Sequence, residues 1–232
     1  MKEFLYETHC HTQISSACAT ATAEKLVETY LKNGYAGIFI TDHFINGNAR
    51  VNYEKPEGSY EEKIAEFVKG YQAVKKAAKG SGLDVFFGLE YSYKGTDVLT
   101  YGFEERDLYE LPEVEKTNMR KFIEYAKEKG WLTSQAHPFR EANYIDHIRL
   151  FPGAECVESL NANREERCNK LGEFYADAYG KKKLGGSDLH HVNQEKISGV
   201  KLFKRVKSVK EFIEEIRQGR YEIFVQRNVL VD

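Results

Sequence analysis

Residues Phe4–Thr12 read Phe-Leu-Tyr-Glu-Thr-His-Cys-His-Thr: a short run of strand length, Phe4 to Thr8, that opens onto two histidines one residue apart. The pattern recurs along the chain. Gly37 to Thr41 is followed by Asp42-His43, Val85 to Leu89 by Glu90, Trp131 to Ala136 by His137, and Lys183 to Gly186 by Ser187-Asp188-Leu189-His190. Two more runs, Val98 to Phe103 and Cys156 to Leu160, bring the count to seven, and Asp97 stands just before the first of these. Amphipathic segments separate them: Ala23 to Lys32, Tyr60 to Lys79, Lys116 to Lys129, Arg164 to Tyr179 and Val209 to Gln218. In the second, Ile64, Phe67, Val68, Tyr71 and Val74 recur at the spacing of one buried helix face. Such alternation predicts an α/β fold of βα units around a parallel sheet. If that sheet closes, the carboxyl ends of its strands meet on one face, and residues from His9 to His190 become neighbours.

Local signals agree with these elements. Ser208 before Val209, with Glu211 three residues on, reads as a capping box. Gly34, Gly130 and Gly219 fall where helices should end. No repeat, low-complexity tract or Pro-rich linker interrupts the 232 residues, so one domain over residues 1–232 is expected. The stretch Ile45 to Glu57 is the longest expected loop, placed to act as a lid.

Composition narrows the function classes. With 34 Lys and Arg against 36 Asp and Glu, the net charge of −2 gives no cationic excess to drive binding to a phosphate backbone, so a nucleic-acid partner is not expected. At 41% apolar and 30% charged residues the chain can bury a core. Its most apolar runs, Tyr35 to Thr41 and Asp84 to Leu89, fall far short of the roughly 20 residues that span a bilayer, so no membrane partner is expected. Met1 to Tyr6 carries no secretory signal, which predicts a cytoplasmic protein. Cys10, Cys18, Cys156 and Cys168 are too few and too irregular for a disulfide framework and should be reduced.

Five of the seven histidines fall at strand ends, where Glu90 and Asp188 join them. A His-x-His pair on a strand puts both imidazoles on one side, suited to a single cation. Any one of these positions has an ordinary alternative as a capping, turn or solvated residue; their joint placement does not. Imidazole with carboxylate and little thiolate suits Zn²⁺, Mn²⁺ or Fe²⁺ better than Mg²⁺ or Ca²⁺. About eight candidate ligands exceed the roughly four to five positions around one ion and point to two or three divalent ions.

His9-Cys10-His11-Thr12, Ile40-Thr41-Asp42-His43, Gly88-Leu89-Glu90, Ala136-His137-Pro138 and Gly186-Ser187-Asp188-Leu189-His190 resemble the successive motifs of the PHP superfamily, named for polymerase and histidinol phosphatase. The resemblance implies a distorted (β/α)7 TIM-like barrel and a stand-alone metal-dependent phosphoesterase. It implies that His9, His11, Glu90 and Asp188 hold one ion, that Glu90 bridges to a second held also by His137, and that His43 and His190 hold a third. Asp97 occupies a position where many relatives carry a histidine, and counts as a carboxylate ligand. Cys18 lies where relatives with three metals have another histidine; it is either a thiolate substitute or a small buried cysteine.

The chemistry that follows is hydrolysis of a phosphoester, best a small phosphomonoester, by a hydroxide activated between two cations. Glu90, His137 and Arg140 are its expected catalytic residues. Arg140, three residues after His137, is placed to anchor the phosphate, with Arg164 as a second candidate or merely the opening of its helix. Asp42 is expected to orient an imidazole, His147 to be an ordinary helical histidine, and Tyr91 and Tyr93 to pack or to line a pocket. His191 matches no motif. Histidinol phosphate is one substrate assignment, and protein phosphotyrosine and nucleotides are others. Two further readings remain: an amidohydrolase-type deacylase on the same barrel, disfavoured if Arg140 faces the metals, and a metal-stabilised binding domain without activity.

Overall fold

The computed structural model describes residues 2–111 and 117–231. All seven apolar runs form strands: β1 (Phe4–Cys10), β2 (Tyr35–Ile40), β3 (Asp84–Tyr93), β4 (Thr96–Tyr101), β5 (Leu132–Ala136), β6 (Cys156–Asn161) and β7 (Lys182–Gly186). Two strands escape a search for apolar runs. They are β8 (Lys196–Leu202) and β9 (Tyr221–Arg227), in which lysine, serine, glycine, glutamate and glutamine interrupt the apolar residues. The helices are α1 (Ala23–Lys32), α2 (Val51–Glu54), α3 (Tyr60–Phe67), α4 (Lys69–Ala77), α5 (Met119–Glu128), α6 (Glu166–Ala178) and α7 (Val209–Gln218). The expected start of the fifth helix at Lys116 lies outside the described residues.

The strands form one sheet in the order β7-β6-β5-β4-β3-β2-β1-β8-β9. Its ends approach each other. Thr8 Oγ1 donates to the Gly185 carbonyl at 2.7 Å, and beyond the strand ends His11 N donates to the Leu189 carbonyl at 2.9 Å. The result is the distorted α/β barrel that the sequence predicts, with one correction: the sheet is not wholly parallel. β3 and β4 are joined by Lys94-Gly95 alone, with φ of 49° and 77°. Two successive residues at positive φ make the tight turn that reverses a chain into a hairpin. β4 therefore runs antiparallel to both neighbours. This reversal brings Asp97, near the amino end of its strand, to the face where the parallel strands present their carboxyl ends, with Asp97 opposite Ser92 on β3 and Ala136 on β5.

The expected helix over Tyr60 to Lys79 is broken into α3 and α4. Ser15 Oγ donates to the Phe67 carbonyl at 2.7 Å and accepts from Gly70 N at 3.1 Å, so a side chain from the first strand-end loop takes over backbone groups at the break. Gly70 is required there, because a Cβ would stand 2.5 Å from both Asp42 Oδ2 and Thr12 Oγ1. Ser208 caps α7 by accepting from Glu211 N at 3.2 Å, but Glu211 reaches back to Lys207 N instead of closing the expected box.

At the end of the barrel away from these loops, Phe212 of α7 packs its ring 4.6 Å from Phe39 and 6.1 Å from Tyr6. Arg205, just before that helix, pairs with Asp84 at the start of β3 at 2.9 Å. One mouth is thus plugged by apolar side chains, and polar residues gather at the other.

Candidate metal centre

β1 delivers His9 and His11, fully buried, to the open mouth. His9 Nδ1 lies 2.8 Å from Glu158 Oε1, which leaves Nε2 facing inward, 3.4 Å from both Glu90 Oε1 and Asp188 Oδ1. His11 Nδ1 lies 3.1 Å from Ser16 Oγ, and its Nε2 is 3.1 Å from His9 Nε2. His43 Nδ1 is 2.6 Å from Glu90 Oε2, and His137 Nε2 is 3.2 Å from Glu90 Oε1. His190 turns its Nδ1 to the Asp188 carbonyl at 3.0 Å. The inward atoms fall into four overlapping groups: His9-His11-Glu90, His9-His137-Asp188, Glu90-Asp97-His137 and His11-His43-His190, each with ligand atoms within 4.8 Å of one another.

Glu90 is the centre of this arrangement. Both of its carboxylate oxygens are buried and accept no aligned hydrogen bond, although nitrogens of His9, His11, His43 and His137 stand 2.6 to 3.6 Å away. His43 Nδ1 is likewise unsatisfied. Burying a carboxylate without hydrogen-bond partners is costly. Donor atoms that converge without pointing hydrogens at one another are satisfied together when a cation lies between them, and the donor set of imidazole and carboxylate fits a divalent ion.

The backbone also bears a cost here. His137 and Asp188 have φ of 26° and 50°, in the left-handed region that residues other than glycine rarely adopt. Each stands at the point where the chain leaves its strand, and each aims a side chain at Glu90 or His9.

Arg140 faces the centre, its guanidinium 2.8 Å from Asp97 Oδ2 and 3.1 Å from the Gly95 carbonyl. Arg164 lies 2.6 Å from Asp188 Oδ2; it precedes α6 rather than opening it. Both line a cavity of about 700 Å³, together with His43, Asp97 and His190. Asn46, Gly47 and Asn48, from the expected lid, form part of its wall. Asn46 is pinned there by a bond from its Nδ2 to the Ser92 carbonyl at 2.6 Å.

Asp42 does not touch an imidazole. It accepts from Thr12 N at 2.7 Å and from Ser16 Oγ at 2.6 Å, so it reaches His11 through Ser16. Cys18 is exposed at the cavity rim, not the small buried cysteine expected, and stands beside His43 and His190. Burial pushes its thiol up, but hydrogen bonds with His190 and His43 outweigh this and bring it down to about 6. It belongs to none of the four groups. Tyr91 is a packing residue, its ring stacked 3.8 Å from Phe122. Tyr93 lines a neighbouring cavity and packs against Phe151. His147 is not helical: it sits in an exposed irregular segment, 2.9 Å from Asp146. His191 bonds to Thr20 Oγ1 at 2.7 Å on the cavity rim.

Two buried acids were missed. Glu158 braces His9, and Glu7 accepts from Thr8 N at 2.9 Å, His9 N at 2.8 Å, Ser187 N at 2.9 Å and the Tyr30 hydroxyl at 2.8 Å. Burial lifts Glu7 to about 7 against the pull of these donors. The available signal was a single acid inside an otherwise apolar strand run, since glutamate is rarely buried without partners.

The sequence matches the PHP domain family over residues 7–219. The chain belongs to that family. Among curated proteins none matches it. Among solved structures, this PHP domain resembles a two-domain protein from Bacteroides vulgatus containing a predicted PHP-like metal-dependent phosphoesterase, with a TM-score of 0.69, 13% identity and 96% of the chain covered. It spans 65% of that protein's length. It also resembles YwqE from Bacillus subtilis and CpsB from Streptococcus pneumoniae, described as metal-dependent tyrosine phosphatases, at TM-score 0.52 and 15% identity over 98% of this chain and 100% of that one. A third neighbour is an amidohydrolase from Chromobacterium violaceum with bound sulfate and no metal, at TM-score 0.53 and 11% identity over 96% of this chain and 97% of that one. The fold is that of PHP-like metal-dependent phosphoesterases. No helix among the described residues is long and apolar enough to cross a membrane.

Protonation of the metal-free PHP domain follows from the same contacts. Burial pulls the His9 imidazole down, but Glu158, Asp188 and Glu90 outweigh it and hold it well above its ordinary value; His43 is raised in the same way, chiefly by Glu90. Burial pushes Glu90 up, but His43 and His9 hold it well below the carboxylate range. Imidazolium charge then adds stability that is fully present below about pH 6.5 and is lost as pH rises through the raised values. A cation held by His9 and His43 would have to displace those protons. Divalent-metal binding at pH 7 is therefore expected to release about one proton or more per chain and to tighten as pH rises. Calorimetry in two buffers of different ionisation enthalpy measures this, and binding without proton release would remove His9 and His43 from the ligand set.

Proposed function

We propose that this PHP domain hydrolyses a phosphomonoester at a centre of two or three divalent cations, Zn²⁺, Mn²⁺ or Fe²⁺. The observation that carries the proposal is the buried, unsatisfied Glu90 carboxylate facing four imidazoles beneath a cavity with two arginines on its wall. His9, His11, Glu90 and Asp188 would hold one cation, Glu90 and His137 with Asp97 a second, and His43 and His190 a third. Two groups of convergent donors, His9-His11-Glu90 and Glu90-Asp97-His137, fall within this division, whereas His9-His137-Asp188 and His11-His43-His190 cross it, so neighbouring ions would lie close enough to share ligands. Bound cations supply Lewis acidity, acidifying the attacking water and offsetting charge on the phosphoryl oxygens.

The chain's own residues do the rest. Arg140 already holds its guanidinium against Asp97 and has a buried Nε without a partner, so it can turn a second donor to a phosphate oxygen. Arg164 stands likewise over Asp188. Two fixed guanidinium groups match the two negative charges of a phosphomonoester, and the inward aim of Arg140 favours this reading over amide hydrolysis. The phosphatase activity of the YwqE and CpsB neighbours also supports it, whereas the amidohydrolase neighbour keeps the deacylase as the second reading. Histidinol phosphate is one member of the substrate class.

The test is hydrolysis of p-nitrophenyl phosphate and a panel of phosphomonoesters, phosphodiesters and N-acyl substrates, on protein stripped of metal and then given Mn²⁺, Zn²⁺ or Fe²⁺. Phosphomonoester turnover that depends on added metal is expected. Arg140→Ala is expected to raise KM about 10- to 100-fold, as loss of a charged hydrogen bond does. Turnover of N-acyl substrates alone would replace the proposal with the second reading.

A further inference from the structure

We infer that Glu158 is the positioning residue that sets His9 and His137 as a pair. The inference rests on reading those two histidines as metal ligands. Glu158 lies inside β6, 1% exposed, and belongs to none of the four groups of convergent ligand atoms. Its two oxygens are divided between two tasks. Oε1 sits 2.8 Å from His9 Nδ1, which fixes the ring's rotation and keeps Nε2 free for the centre. Oε2 accepts from the backbone N of His137 at 2.9 Å, at the residue whose φ is 26°. One rigid carboxylate therefore sets the ring of one histidine and the backbone of another, which arrive from strands β1 and β5.

The carboxylate is itself fixed. Asn161 Nδ2 donates to Oε2 at 2.8 Å, and Asn161 is held in turn by Asn169, whose Oδ1 accepts from Asn161 N at 2.9 Å. On the other side Gly186 lies so close that a Cβ there would run into Glu158 Oε1 and stand 2.7 Å from His9 Cβ. β7 can approach only because this residue has no side chain. A carboxylate at the far nitrogen of an imidazole also makes the near nitrogen a better donor to a metal. A purely structural Glu158 would tie β6 to β1 and leave metal affinity alone, so affinity separates the two roles.

The experiment compares wild type, Glu158→Gln and Asn161→Ala as metal-free proteins, measuring thermal unfolding and then Zn²⁺ affinity against a chromophoric chelator. Glu158→Gln keeps the side chain's shape but removes one acceptor and the charge. It is expected to weaken Zn²⁺ about 10- to 100-fold, the usual effect of losing a ligand's outer partner, while the metal-free protein unfolds within a few degrees of wild type. Asn161→Ala loosens the same carboxylate without altering the buried charge, and is expected to weaken Zn²⁺ in the same direction even if Glu158→Gln fails to accumulate. Unchanged affinity in the folded variants, with a lower unfolding temperature, would overturn the inference. Wild type that binds no Zn²⁺ would instead overturn the ligand reading beneath it.

Discussion

Replacing Glu90 with alanine is expected to abolish the proposed phosphomonoester hydrolysis, by on the order of 10³-fold or more, while the barrel stays folded. The loss should exceed that of a single charge-stabilising donor, for which about 10² to 10³ is usual, because Glu90 belongs to two groups of convergent ligand atoms at once. The fold survives because the strand pairing of this residue is made by its backbone. Glu90 N donates to the Asp42 carbonyl at 3.0 Å, and its own carbonyl accepts from Phe44 N at 2.9 Å. Neither bond needs the side chain. Circular dichroism and bound metal per chain, measured beside activity, separate the outcomes. Full activity in a folded Glu90→Ala protein would show that catalysis lies elsewhere.

His137 allows a sharper comparison, between two inactive variants. His137→Ala and His137→Gly both remove the imidazole that stands 3.2 Å from Glu90, so both should lose activity to a similar extent. They differ in the backbone. At φ of 26° alanine keeps the strain that histidine carries and glycine relieves it. The glycine variant is expected to be more stable than the alanine variant by about 1 kcal/mol, or roughly 2–4 °C in Tm for a chain of this size. This is the reverse of the usual order, since glycine normally costs stability through backbone entropy. Equal or lower stability of the glycine variant would mean that the strand-end conformation is not strained. A barrel that holds its ligands at some cost to its backbone should show this pattern at functional positions.

Much of the centre was legible because strand ends are marked twice, by the end of an apolar run and by a change to polar residues. His9, His11, His43, Glu90, His137 and Asp188 all follow the end of an apolar run, but the structure corrects the expected strand ends for two of them: β1 runs on past His9 to Cys10 and β3 past Glu90 to Tyr93, because backbone pairing continues where the apolar pattern stops. Asp97 was found at the boundary of its run although the direction of β4 was misread. The sign of reversal was the gap from Glu90 to Asp97 between the runs, too short for a parallel crossover, within which only Lys94-Gly95 separates the two strands. Glu158 and Glu7 were hidden because an acid within a strand reveals its face but not its partner, and one partner of each, His9 for Glu158 and Ser187 for Glu7, lies more than a hundred residues away. The break between α3 and α4 was illegible for the same reason: its cause is Ser15, from another part of the chain. β9 was lost because it is only half-buried, so burial imposes no apolar run there, and β8 because two of its buried positions are Ser198, tied to Ser187, and Gly199, packed against the Tyr6 backbone.

The seam where β1 meets the loop after β7 has a further consequence. His9 and His11 lie near one end of the sequence and Asp188 and His190 near the other, and their backbones are joined by a short bridge at Leu189. An ion gripped from both sides of that seam would act as a staple, closing a loop from His9 to Asp188 that contains more than three quarters of the chain. Such a closure removes freedom mainly from the unfolded ensemble, as a long-range cross-link does. Metal supply would then govern how long the protein persists as well as how fast it turns over substrate.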